Sequence, residues 1–356
     1  MNSLTLMEVL LRPQLLASKA YAVAPSTGLI KLDAMENPYG LPDLLRQAWL
    51  ESLSDAPINR YPDPHPDSLI TALKKHIGLP AGIELMLGNG SDELIQILVT
   101  AVAGTGRPIM AVDPSFVMYR LLAEQLGLPF IGVPLDAEFQ LDLPAMLRAI
   151  AEHQPAIVFL DWPNNPSGSL FPEADLAAII QAAPGLVVVD EAYHAFSQTT
   201  FAGRLGQYPN LLLLRTLSKE GLAGLRLGML AGPSAWIQEL DKLRLPYNIN
   251  ILTQRSAAFY LQHSTVLDEQ ADILRAERDR MFKTISAMGL AVWPSAANFL
   301  LFHTPGKAAE IYAGLKNGGI LIKAFTGHPR LGDYLRVSVG KPAENSRFLS
   351  VLESLL

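Results

Sequence analysis

The chain has 356 residues, a formal net charge of −6 at pH 7, 49% hydrophobic and 17% charged residues, and no cysteine. That length and apolar share suit two domains, or a large domain with a smaller companion, around sizeable cores. The missing cysteine excludes disulfides, thiolate metal sites and a cysteine nucleophile, and the acidic balance without a long basic run argues against nucleic acid as the main partner.

The opening run Leu4 to Leu16 is apolar but lacks a basic leader and is interrupted by Glu8, Arg12 and Pro13, so it does not read as an export signal. No uncharged apolar stretch reaches the length of a membrane helix. A soluble, cytoplasmic protein without a membrane partner is the expectation. The first forty residues read as an arm ending in Glu36-Asn37-Pro38-Tyr39-Gly40, where the proline and glycine mark a turn. Leu41 to Leu53 follows as an amphipathic helix. Arg60-Tyr61-Pro62-Asp63-Pro64 is too rich in proline for a helix or a central strand. A stiff surface loop of this kind could offer the Tyr61 phenol to a neighbouring subunit as easily as to its own.

Gly88-Asn89-Gly90-Ser91-Asp92-Glu93 leads into Leu94 to Val102, an apolar helix that must be buried. Glycines before a helix start leave outward-facing amides, a cradle for an anion. The alternative is an ordinary helix start, with Ser91 as cap and Asp92 and Glu93 matching the dipole. Those carboxylates would oppose a phosphate facing them, so a phosphate here must rely on Ser91 and backbone amides.

From Arg107 the chain alternates short β-like runs with helical ones. The strands are Ile109 to Val112, Ile131 to Val133, Ile157 to Leu160, Leu186 to Val189, Leu211 to Leu214 and Leu227 to Ala231. Helices lie near 117–127, 144–152 and 173–182. This rhythm predicts an α/β fold, a mainly parallel sheet flanked by helices, with its chemistry at the carboxyl ends of the strands. The loops there carry Phe116 at the rim, Asn165 in the stiff turn Pro163-Asn164-Asn165-Pro166-Ser167-Gly168, and Asp190 with Tyr193 three residues on. Each also has a plainer reading: Phe116 as core, Asn165 as a turn residue, Asp190 as a helix cap.

Arg215-Thr216-Leu217-Ser218-Lys219 ends the strand Leu211 to Leu214, and glycines follow at 221, 224 and 228. A lysine so placed sits at the sheet's carboxyl edge, where desolvation favours the neutral amine that a Schiff base needs. Thr216, Ser218 and Arg226 add two hydroxyls and a guanidinium suited to a phosphate dianion. A polar turn with one solvated lysine is the plainer alternative.

Beyond Leu245-Pro246-Tyr247-Asn248 the pattern changes to long helices (about 252–262 and 266–288), then strands around Asn298 to Phe302, Gly319 to Lys323 and Tyr334 to Val339. In the last strand Tyr334, Arg336 and Ser338 share one face, so Arg336 is either solvated or aimed at a cleft. This predicts a smaller α/β domain over 249–356, a large domain over 41–248, and the arm 1–40 packed on the small one. The seven histidines are scattered and no pair has metal-ligand spacing, so no metal is expected.

A buried lysine, a carboxylate, an aromatic ring, an amide, a phenol and a phosphate cup together match the needs of pyridoxal phosphate. The ordered set of motifs, closed by Leu335-Arg336-Val337-Ser338-Val339-Gly340, resembles the fold-type-I pyridoxal-phosphate aminotransferases and, within them, the histidinol-phosphate aminotransferases. The resemblance implies a transfer of the amino group of L-glutamate to a phosphorylated imidazole ketone, imidazole-acetol phosphate. It implies Lys219 as Schiff-base lysine and proton carrier, Asp190 on the pyridine nitrogen, and Asn165 and Tyr193 on the 3-hydroxyl oxygen. Phe116 is implied to stack on the ring, and Gly90, Ser91, Asp92, Thr216, Ser218 and Arg226 to hold the phosphate. It further implies Arg336 on the substrate's anionic end with Tyr21 nearby, and Tyr61 reaching across a homodimer. Two positions depart from the family pattern. Phe116 replaces a usual tyrosine. Lys323 replaces a usual arginine, keeping the charge but losing the fork. Threonine-phosphate decarboxylases share much of the pattern, but Glu36-Asn37-Pro38-Tyr39-Gly40 and Asp190-Glu191-Ala192-Tyr193 favour the transaminase; a broad aromatic or aspartate-family aminotransferase is a further alternative. A nucleotide hydrolase reading of Val187-Val188-Val189-Asp190-Glu191 lacks the phosphate-binding loop it requires.

Overall fold

A computed structural model describes residues 3–18, 20 and 22–356. Seven strands form one sheet: Ile83–Asn89, Ile109–Asp113, Phe130–Pro134, Ile157–Asp161, Leu186–Asp190, Leu211–Thr216 and Leu227–Pro233. Across the sheet they run in the order 83–89, 227–233, 211–216, 186–190, 157–161, 109–113, 130–134. The five strands from 211–216 to 130–134 are parallel, and Leu227–Pro233 pairs antiparallel with both its neighbours. One reversed strand among seven has a consequence for the site. It brings its own entry, after Arg226, to the same edge at which the other six strands end.

The apolar runs become strands because both faces of the sheet are covered. Leu211 and Leu213 pack into one core with the helices Asp67–Ile77, Leu143–His153 and Glu173–Ala182. Leu212 and Leu214 point into the opposite core with Ser91–Ala101, Val117–Gln125 and Ser234–Asp241. The fold is therefore α/β with a mainly parallel sheet, as its sequence rhythm predicts.

Sequence reasoning missed the edge strand Ile83–Asn89 and the helix Asp67–Ile77. The strand's apolar centre spans Leu85 to Leu87, and its continuation through Gly88 reads as loop. Gly88 stays extended because it pairs with Gly228 in register. The span expected as one strand from Gly319 to Lys323 is two: Ile320–Leu321 pairs with Ile30–Lys31, and Lys323–Ala324 pairs with Tyr334–Ser338. Tyr334–Ser338 also pairs with Phe299–His303, making a three-stranded antiparallel sheet. The helices Thr265–Ala287, Ala308–Asn317 and Pro342–Leu355 share its core.

The N-terminal segment touches both layers. Ile30–Lys31 joins Ile320–Leu321, and the Met35 amide donates to Ser338 Oγ at 2.8 Å. Pro13–Ala17 lies instead near the helix Val117–Gln125, beside Gly127. Among the described residues no helix is long and apolar enough to cross a membrane, and no group of histidines and carboxylates could hold a metal ion.

Candidate active site

Where the strand Leu211–Thr216 ends, the chain enters an irregular turn over Ser218–Leu222 that carries Lys219. Its ammonium donates to the Ala34 carbonyl at 3.1 Å, tying the turn to the N-terminal segment. Burial, then the Arg336 guanidinium nearby, lower the Lys219 amine from 10.5 to about 8. An amine so placed is neutral in part near neutral pH and available as a nucleophile or base.

The adjacent strand ends in Asp190, whose carboxylate accepts from the Ala192 amide at 3.0 Å and from the Tyr119 hydroxyl at 2.7 Å. Burial pushes this carboxyl up to about 6. The two hydrogen bonds oppose that rise, so Asp190 can still serve as an anion near neutral pH. One strand further on, Asp161 accepts from the amides of Asn165 at 2.8 Å and Phe116 at 3.2 Å and from the Asn164 side chain at 3.0 Å. Burial, foremost, raises the Asp161 carboxyl to about 7. Its bonds fix the turn that presents Asn165 and the rim that presents Phe116.

Asn165 joins the two sheets. Its amide nitrogen donates to the Tyr193 hydroxyl oxygen at 3.3 Å, and its carbonyl accepts from Arg336 Nη1. Arg336 also donates to the Asp33 carbonyl at 3.0 Å and lies over the Phe299 ring at 5.2 Å. The arginine on the polar face of the last strand is thus buried and aimed inward. Lys323 stands opposite it in register, and burial followed by the Arg336 charge lower its ammonium.

At the other end of the site the helix Ser91–Ala101 begins, with Gly90 at its cap position and no side-chain capping bond. Ser91 is not the cap that an ordinary helix start would make it, and Glu93 turns back to the Asn89 amide. Arg226 covers this helix start, with Nη2 on Asp92 Oδ2 at 3.1 Å and Nη1 on Ser218 Oγ at 3.4 Å. Thr216 Oγ1 donates to Ser218 Oγ at 2.9 Å. Two glycines make the approach possible. A Cβ on Gly90 would lie 2.2 Å from Arg226 Nη2, and one on Gly228 would lie 2.5 Å from the Gly90 carbonyl carbon and the Ser91 nitrogen. A helix start without a side-chain cap, two hydroxyls and a guanidinium, packed this closely, fit a phosphate dianion.

Ser91, Asp92, Phe116, Asn165, Asp190, Tyr193, Thr216, Ser218, Lys219 and Arg226 line one cavity. A second cavity shares Phe116 and Asn165 with it and adds Arg336 and Lys323. A family model for aminotransferase class I and II matches residues 27–352. The chain belongs to that aminotransferase family.

Histidinol-phosphate aminotransferase 2 of Nitrosococcus oceani is 52% identical over 347 residues, covering 97% of this chain and 96% of the relative. Histidinol-phosphate aminotransferase of Chromobacterium violaceum is 48% identical, with 97% of each chain covered. Among solved structures, histidinol-phosphate aminotransferase from Sinorhizobium meliloti, in complex with pyridoxal-5'-phosphate, superposes with a TM-score of 0.85 at 26% identity, covering 97% of each chain.

In this aminotransferase the sequence-predicted residues converge with two exceptions. Tyr61 lies on the surface, 81% exposed, with its ring stacked on Tyr247 at 4.5 Å. Tyr21 lies outside the described residues. Two residues escaped sequence reasoning. Asp161 reads there as a strand terminus. Tyr119 reads as part of a helix, and its ring meets that of Phe116 edge-on at 5.6 Å. Tyr119 is fully buried and stacks on Phe159 at 4.5 Å, which holds its hydroxyl on Asp190.

Proposed function

We propose that this aminotransferase transfers the amino group of L-glutamate to imidazole-acetol phosphate, giving L-histidinol phosphate and 2-oxoglutarate, with pyridoxal 5'-phosphate as cofactor. The observation that carries this reading is the convergence of Lys219, Asp190 and the Gly90–Arg226 contact on one cavity, beside a second cavity lined by Arg336 and Lys323. The cofactor, when bound, supplies an electron sink for the carbon that loses or gains the proton.

The residues divide the work by chemistry. Arg226, Ser218, Thr216, Ser91 and the amides beside Gly90 and Asp92 hold the cofactor phosphate. The Asp190 carboxylate keeps the pyridine nitrogen protonated, with Tyr119 holding it in place. Asn165 and Tyr193 bond the 3-hydroxyl oxygen, and Phe116 covers the ring face. Lys219 would hold the cofactor and would move the proton at the substrate carbon. Arg336 takes an anionic group in each half-reaction, the α-carboxylate of glutamate or the phosphate of the ketone, and Lys323 adds a second charge there. One site serving both substrates in turn predicts ping-pong kinetics.

Under the same proposal the working unit is a homodimer in the cytoplasm, with Tyr61 reaching the partner's cofactor phosphate. The chain divides into the arm 1–40, a cofactor-binding domain 41–248 and a smaller domain 249–356. The test is a half-reaction screen: the protein loaded with pyridoxamine phosphate is mixed separately with imidazole-acetol phosphate, phenylpyruvate and oxaloacetate, and return of the visible cofactor band is followed. A faster return with imidazole-acetol phosphate is expected. Preference for phenylpyruvate would replace the substrate and leave the chemistry standing.

A further inference from the structure

The residue directly after Lys219 is a second carboxylate that the proposed reaction does not use. Glu220 is buried, and its two oxygens face two imidazoles: Oε1 lies 3.7 Å from His194 Nε2, and Oε2 lies 3.9 Å from His76 Nε2. His194 follows Tyr193, and His76 sits in the last turn of the helix Asp67–Ile77, whose dipole favours a cation. The Glu220 carbonyl accepts from Asn37 Nδ2 at 3.2 Å, and the same nitrogen donates to Gln270 Oε1 at 2.9 Å. The turn that carries Lys219 is therefore gripped from three directions through one residue.

The charges around Glu220 can be assigned. Arg215 is paired with Glu191 at 2.7 Å and is committed there. Burial holds the His194 imidazole down at about 4, and its Nδ1 has no hydrogen-bond partner, so its proton belongs on the Nε2 that faces Glu220. The Glu220 carboxylate raises His76, with Asp268 adding to the effect and Arg215 opposing it. Burial pushes Glu220 up, but His76, His194 and Arg215 more than offset this and hold it below the usual carboxylate range. Of the two imidazoles that face this carboxylate, His76 is the one whose protonated form is favoured. An uncompensated carboxylate at that depth would be costly.

We propose that Glu220, braced between His76 and His194, is the positioning residue that holds Lys219 in reach of the cofactor aldehyde. The inference rests on the pyridoxal-phosphate reading above. Its step is the condensation of the Lys219 amine with that aldehyde: a carbon–nitrogen double bond forms and the carbonyl oxygen leaves as water. A residue that only stabilised the fold would weaken every ligand of the site alike. A residue that positions Lys219 should matter for pyridoxal phosphate, which condenses with the lysine, and hardly at all for pyridoxamine phosphate, which does not.

The experiment compares apoprotein from the wild type, Glu220→Ala, Glu220→Gln and His76→Gln. It measures pyridoxamine phosphate affinity and the rate at which pyridoxal phosphate becomes borohydride-trappable on Lys219. Glu220→Ala should slow trapping tenfold or more while changing pyridoxamine phosphate affinity less than threefold. Glu220→Gln, which keeps the shape and the contact to His194, should trap within threefold of wild type. His76→Gln, which serves if the alanine variant does not fold, should slow trapping at least threefold with the same selectivity. Equal losses for both ligands, or trapping by Glu220→Ala at the wild-type rate, would overturn the proposal. Failure of the wild type to bind either ligand would instead overturn the cofactor reading itself.

Discussion

Tyr119→Phe isolates one hydrogen bond, because it removes the hydroxyl that donates to Asp190 Oδ2 at 2.7 Å and keeps the ring stacked on Phe159. A hydrogen bond to a buried charged group contributes about 1.5–3 kcal/mol, which corresponds to roughly one to two pH units in the acceptor's titration. The Asp190 carboxyl, at about 6 in the wild type, should therefore move to roughly 7–8 in the variant. At pH 7 the wild-type side chain is mostly ionised, whereas half or less of the variant's is. Only the ionised form pairs with a protonated pyridine nitrogen. Affinity for pyridoxal phosphate at pH 7 should then fall roughly two- to tenfold and recover as the pH approaches 9. Cofactor fluorescence titrations of the apoprotein across pH 6–9 measure this directly. Identical affinity profiles for wild type and variant would refute the reasoning, since they would mean that Tyr119 does not set the charge on Asp190.

Three further outcomes follow from the same geometry. Asp190 binds its proton more tightly in the folded chain (about 6) than at its ordinary 3.8, so its contribution to stability is complete below about pH 4 and is lost as the pH rises through about 6. Asp190→Asn should remove up to about 3 kcal/mol of that pH dependence from the apoprotein while abolishing tight cofactor retention, and denaturant titrations at several pH values test it. Gly228→Ala forces a methyl group to within 2.5 Å of the Gly90–Ser91 backbone, which should cost about 1–3 kcal/mol and loosen the cofactor phosphate; calorimetry and the cofactor dissociation rate would both have to stay unchanged for the packing argument to fail. Lys219→Ala should eliminate turnover, but if the proposed dimer brings the exposed Tyr61 to the partner's cofactor, mixed dimers of Lys219→Ala with Tyr61→Phe subunits should regain one working site. No recovery on mixing would return Tyr61 to its own subunit.

Much of the fold was legible because it is written in local pattern. The apolar runs Leu186 to Val189 and Leu211 to Leu214 lie within strands buried on both faces, as in a mainly parallel sheet with a helical layer on each side. The strand Ile83–Asn89 was not legible, because glycine favours loops until a partner strand pairs with it, and Gly88 finds that partner in Gly228, far along the chain. Ser91 shows the same limit at the site. Its type and place suggest a helix cap, but Ser91 is already the first helical residue, and Gly90, against which Arg226 packs, holds the cap position.

By itself the sequence determined the chemical inventory and its order at the edges of strands: an amine, carboxylates, an amide, two hydroxyls and a guanidinium, each next to an apolar run. Those are local properties, fixed by which side chain follows which hydrophobic stretch. Only the tertiary structure decided which groups act on one another. Tyr119 meets Asp190, Arg336 meets Asn165, and Glu220 lies between His76 and His194, all through contacts between segments distant in the chain. The physical reason is desolvation. Side chains ordinary in water become tuned only when the packing of the sheet and helices removes that water and leaves each charge with the few neighbours the fold supplies.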